Sequence, residues 1–73
     1  CMIILRQFIN PLGEITLFKV TDTNCYPYSI SVDCPKIDVS KWINHEYKGK
    51  AIEDFQFYTN WLETQYKTTV HSI

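Results

Sequence analysis

The sequence predicts a single small α+β domain over residues 2–70: a three-stranded antiparallel β-meander followed by one short and one long helix packed on one face (βββαα). Three observations predict it. Apolar and polar residues alternate through much of the first half of the chain, and Asn10-Pro11-Leu12-Gly13 places a tight turn within that half. Beyond Pro35 the apolar spacing widens from two residues to three or four, the helical period.

The first hairpin is read from that turn. Asn at its first position, Pro at the second and Gly at the fourth suit a type I turn. Its flanks, Ile3–Ile9 and Glu14–Thr21, are apolar and β-branched, as strands require. Pairing Ile9 with Glu14 sets Leu5 opposite Phe18 and Ile3 opposite Val20 on one face, with Phe8 opposite Ile15 on the other. After a turn at Asp22-Thr23-Asn24, Tyr26, Tyr28, Ile30 and Val32 alternate with Pro27, Ser29, Ser31 and Asp33. Pairing Phe18 with Tyr28 would align their apolar side with the Leu5/Phe18/Val20 face. Pro27 lacks an N–H for a ladder, which argues for an edge strand.

The helices follow. Val39, Trp42, Ile43 and Tyr47 fall at helical spacing behind Asp38 or Ser40 as N-cap, with Gly49 just past the expected end. A strand over Lys36–Val39 competes with this short helix. A longer helix from about Lys50 to Lys67 carries Ala51, Phe55, Tyr58, Leu62 and Tyr66 as one stripe, and Glu53 and Asp54 favour its N-terminus. Phe57 and Trp61 lie together on a different flank. The short helix or the C-terminal tail would have to cover them, unless a partner does.

Composition bounds the function. A 73-residue chain buries only about 60% of its unfolded surface, so its core is modest. At 45% hydrophobic and 15% aromatic it is unlike a disordered segment, and a net charge of −1 argues against a general polyanion binder. The aliphatic run Met2-Ile3-Ile4-Leu5 stops at Arg6, too short for a membrane span or signal peptide, so no membrane partner is expected. Cys1 precedes a Met with the look of a natural start and reads as a cloning scar; a mature bacterial lipoprotein would also begin with Cys. An extended strand between Cys25 and Cys34 would hold them beyond the ~7 Å reach of a disulfide, which suggests reduced thiols and a cytoplasmic location. The isoleucine-, asparagine- and lysine-rich usage would suit an AT-rich genome, as in many bacteria and their viruses.

No catalytic, cofactor-binding or metal-ligating pattern emerges, and no cofactor is expected. His45-Glu46 opens the zinc-protease motif H-E-x-x-H, but its second His would fall on Gly49. Cys25, Cys34, His45 and His71 supply residue types for nucleophilic catalysis without a local pattern joining them. Glu53 and Asp54 are neighbours on a helix and point apart, and two glycines cannot build a phosphate loop. The expectation is a non-enzymatic protein-binding module, a small inhibitor, adaptor or homodimerising domain. Its contact residues would be Phe57 and Trp61 on the helix flank, with Phe8, Ile15 and Leu17 on an open sheet face. The alternative is a nucleic-acid-binding domain using the basic and aromatic segment Lys36–Lys50, with Lys41, Trp42, Lys48 and Lys50.

Overall fold

A computed structural model describes residues 2–21 and 26–71, with side chains through Thr68. Four strands, β1 (Met2–Asn10), β2 (Gly13–Val20), β3 (Tyr28–Cys34) and β4 (Val39–His45), form an antiparallel meander in the order β1-β2-β3-β4. A 3-10 turn at Pro35–Ile37 joins β3 to β4, and one helix, α1 (Lys48–His71), crosses the sheet. The α+β class is as expected. The count differs by one strand gained and one helix lost.

The hairpin turn is built as its residues dictate. Asn10 Oδ1 accepts hydrogen bonds from the backbone N–H of Leu12 at 2.9 Å and of Gly13 at 3.2 Å. This closes an Asx turn around Pro11. A Cβ at Gly13 would lie 2.3 Å from the Asp33 carbonyl oxygen and 2.5 Å from the Cys34 Cα, so only glycine lets β2 start this close to β3.

From the turn, β1 and β2 pair as expected through Ile9↔Glu14 and Phe8↔Ile15, reaching Arg6↔Leu17. A bulge at Leu5 then absorbs one residue, so Ile4 faces Phe18 and Met2 faces Val20 instead of the expected Leu5 and Ile3. The bulge falls where β1 is exposed on both sides, so no buried face enforces strict alternation there.

The next pairing moves by one residue and inverts the sheet. Lys19, not Phe18, opposes Tyr28, which brings Leu17 to Ile30 and Ile15 to Val32. These four branched side chains fill the core with Cys34 and Leu12. The expected Phe18↔Tyr28 register would have put Ile15 and Leu17 on the face opposite Ile30 and Val32. β3 explains the choice, because its other side offers only Ser29, Ser31 and Asp33, which cannot fill a core. Ile15 and Leu17 are therefore buried beneath α1, and Phe8 packs against the same core. None of the three lies on the open face.

β3 is an internal strand rather than an edge. Pro27 sits just ahead of it, so its missing N–H costs the ladder nothing, and its carbonyl accepts a 2.7 Å bond from Val20 N–H. The expected short helix is β4. Val39, Lys41, Ile43 and His45 face inward and Ser40, Trp42 and Asn44 outward, in register with β3. Cys34↔Val39 and Ile30↔Ile43 extend the core, which rewards the strand more than an isolated two-turn helix could gain. Asp38 turns the chain into β4 with φ 56°, a conformation Asp tolerates better than most residues.

Gly49 is the second residue of α1 and not a C-terminal cap, and His45 ends a strand rather than a helix. Ala51, Phe55 and Leu62 are buried and Tyr58 and Tyr66 pack against the core, which is the expected stripe. Two polar contacts fix the path of α1. His45 Nε2 and Asp54 Oδ2 are 2.5 Å apart at the end of β4, and Asn10 Nδ2 donates to the Leu62 carbonyl at 3.3 Å at the end of β1. Those contacts lie at opposite ends of the sheet, so α1 runs along it from the His45 end to the Asn10 end, with Trp61 still beside Val39 of β4. Its 24 residues rise about 36 Å against about 23 Å for a seven-residue strand, and its C-terminal turns overhang the sheet.

Candidate binding surfaces

One layer of helix covers one side of the sheet, and among the described residues no layer covers the outer side. At its centre the rings of Phe18 and Trp42 stack, with centroids 5.7 Å apart and planes 24° from parallel. Phe18 is on β2 and Trp42 on β4, so the two rings meet across β3. They can do so because β3 presents only Ser29 and Ser31 between them. Ser29, against Phe18 in the register, is buried in consequence.

Hydrogen bonds hold this platform. Trp42 Nε1 donates to Asn44 Oδ1 at 3.0 Å, and Ser29 Oγ donates to the same oxygen at 2.9 Å. Beside it, Gln7 Nε2 donates to Thr16 Oγ1 at 3.2 Å. These bonds fix the orientation of the indole, yet Trp42 stays 53% exposed. Met2, Ile4 and Ile9 continue the apolar surface along β1. The ionisable side chains that the register places on the outer face, among the described residues, are Glu14 and Asp33, at the end nearer the hairpin turn.

A second apolar surface lies on the flank of α1 toward β4. Phe57 and Tyr58 meet edge to face at 5.3 Å, and Tyr58 and Trp61 at 6.5 Å. With Val39 and Lys41 they line a groove of about 230 Å³. Phe57 is 63% exposed, while Trp61 is partly buried against the core. The flank is thus shared between β4 and solvent; the short helix expected to cover it is the strand beside it.

The other residues singled out from the sequence separate in space. Lys41 faces the groove, on the side of β4 opposite Trp42, and Lys48 and Lys50 lie in the first turn of α1. The structure therefore does not gather Lys41, Lys48 and Lys50 around Trp42. Cys34 and His45 occupy opposite ends of the sheet, about 20 Å apart along it, and do not form a catalytic pair. Cys34 is a buried free thiol; burial, then the charge of Asp33, push its pKa up from the ordinary value. Cys1 and Cys25 lie outside the described residues, as does the turn expected at residues 22–24. No group of three metal-ligating side chains occurs among the described residues. No helix among them is long and apolar enough to cross a membrane.

Sequence reasoning missed the Phe18–Trp42 platform because it assigned both rings to the core. The available signal was the small-residue alternation Ser29, Ser31 on a strand between two aromatic-bearing segments. No protein-family model, curated protein or solved structure matches this chain.

Proposed function

We propose that this chain is a non-enzymatic protein-binding module of the inhibitor or adaptor kind, acting in the cytoplasm, whose contact surface is the open sheet face. The observation that carries this reading is the Phe18–Trp42 stack: two oriented aromatic rings, Phe18 partly buried and Trp42 half exposed, at the centre of a face that no described residue covers. Aromatic side chains held rigid at low entropic cost are what protein interfaces enrich at their centres. Phe57 and Trp61 provide a secondary contact on the helix flank. The buried free thiol of Cys34 suits a reducing compartment.

The charges of the open face weigh against the nucleic-acid alternative. A stacking platform for a single strand needs cations nearby to neutralise phosphates. Here Glu14 and Asp33 share the face with Trp42, while Lys41 points away from it.

The test is capture from nuclease-treated lysate, followed by reconstitution with the purified captured protein. Trp42→Ala should weaken that binding by about thirtyfold or more, the effect of truncating a central aromatic anchor. Undiminished binding by Trp42→Ala would overturn the assignment of the surface. Tight binding of a single-stranded oligonucleotide that weakens steeply with salt would favour the nucleic-acid reading instead.

A further inference from the structure

β4 is an outermost strand of the sheet, and among the described residues its ladder runs to β3 alone. Alternate residues of an edge strand turn their N–H and C=O groups away from the neighbour, where another chain can pair with them. The helix runs back beside this edge. His45 meets Asp54 at one end of β4, and Trp61 lines the groove with Val39 at the other. Phe57, Tyr58 and Lys41 complete that groove of about 230 Å³, so a strand edge bounds it on one side and an aromatic helix flank on the other. It is smaller than the roughly 300–1,000 Å³ of a small-molecule pocket and suits one large side chain.

We infer that β4 takes an extended segment of another protein as a fifth strand, with an apolar side chain in the groove and a carboxylate against Lys41. The inference rests on the reading of the chain as a protein-binding module and gives its helix flank a ligand class. Strand addition draws affinity from the backbone and specificity from alternate side chains. Lys41 shares the groove side of β4 with Val39 and Ile43, two residues to either side. An antiparallel strand would set one side chain opposite Lys41, and its neighbours on that face opposite Val39 and Ile43. The matching segment therefore reads apolar-x-acidic-x-apolar.

Charge selects the partner. Lys41 is exposed and has no acidic partner among the described residues, whose ion pairs are His45–Asp54, Lys50–Glu53 and Lys67–Glu63. An inward lysine on an edge strand discourages pairing with any strand that cannot answer its charge. A second copy cannot answer it through β4, because Val39–His45 contains Lys41 and His45 and no acid. A segment carrying an acid can. Lys41 thus disfavours self-pairing and selects the partner with one charge.

A random peptide display library selected on the purified chain should enrich the apolar-x-acidic-x-apolar pattern. The most enriched peptide, made synthetically, is the probe. Lys41→Glu should weaken its binding by about tenfold or more, and replacing the acid of the peptide by lysine should restore binding to that variant. Phe57→Ala should weaken it to a similar degree, whereas Trp42→Ala, on the other side of β4, should not. Methylating backbone nitrogens of the peptide at alternate positions should abolish binding in one frame and spare it in the other. That readout uses the wild-type chain and holds even if a variant fails to fold. No enrichment, an enriched pattern without the central acid, or binding indifferent to the charge swap or to methylation in both frames would each overturn the inference. Such a failure leaves the open-face reading intact, because that reading is tested by the dependence of the captured protein on Trp42.

Discussion

Leu62 and Phe57 lie on one helix, five residues apart, and their truncations should differ severalfold in effect. Leu62 is fully buried, and its carbonyl also accepts the Asn10 bond that fixes the helix over β1. Removing its side chain loses the transfer free energy of three carbons and leaves a cavity bounded by the sheet, for about 2–5 kcal/mol. Phe57 is 63% exposed, so little more than a third of its surface is in contact. Full burial of a Phe is worth at most about 3 kcal/mol, so truncation loses about 1 kcal/mol. The better helix propensity of alanine returns about half of that. A 73-residue domain has roughly 4–11 kcal/mol in total, so Leu62→Ala could consume most of it while Phe57→Ala should be nearly silent. Urea titrations at fixed protein concentration, compared at constant m-value, measure both. In thermal melts, Leu62→Ala should fall by roughly 10 °C or more and Phe57→Ala by only a few. If Phe57→Ala proved as damaging as Leu62→Ala, the flank would be covered in the folded chain. The surface reading of α1 would then be refuted.

Gly13→Ala should destabilise by about 1–3 kcal/mol in the same titrations, because a Cβ there overlaps backbone atoms of Asp33 and Cys34 that cannot swing aside. Asn10→Ala should cost about 1–2 kcal/mol, since one side chain both closes the turn and anchors α1; Asn10→Asp keeps the turn acceptor and should recover part of it. At mildly alkaline pH, Cys34 should react with a thiol reagent far more slowly in the native than in the urea-unfolded protein. Burial hides the sulfur and raises its pKa, so a pH above its unfolded value still leaves the folded group protonated. Rapid native labelling at Cys34, located by peptide mass mapping, would contradict the packing of β3 under α1.

Much of the architecture was legible because strong local signals agreed with the global fold. Asn10-Pro11-Leu12-Gly13 specified a turn by its own chemistry, and the register followed from it for five pairs, from Asn10↔Gly13 to Arg6↔Leu17. The stripe from Ala51 to Tyr66 specified the long helix. The segment from Val39 to His45 was not legible, because its adjacent apolar pair Trp42-Ile43 satisfies a helical and an extended reading equally. What decides it is non-local. β3 presents Ile30 and Cys34 to a neighbour, and Ile43 and Val39 complete that ladder only as a strand. Charge at the helix start was also misjudged, since Asp54 serves as the contact to His45 across the helix–sheet interface.

The inversion of the sheet has a more general cause, and it bears on function. β2 offers two plausible cores, Ile15 with Leu17 and Phe18 with Val20, and no pattern within β2 prefers one. A strand in a domain with a single covering layer should show one apolar face and one polar face. β2 shows two, and so does the first half of β1. Such a surplus cannot be spent on internal packing, because one helix covers only one side. The residue set left outside must then either be tolerated in water or meet another surface. Phe18 answers part of this internally by stacking on Trp42, and the hydrogen bonds from Trp42 and Ser29 to Asn44 keep the pair in place. Internal stacking still leaves Trp42 half in solvent, and nothing comparable shelters Met2 to Leu5. The feature that made the core face ambiguous in the sequence is therefore the same surplus from which the proposed contact surface is made.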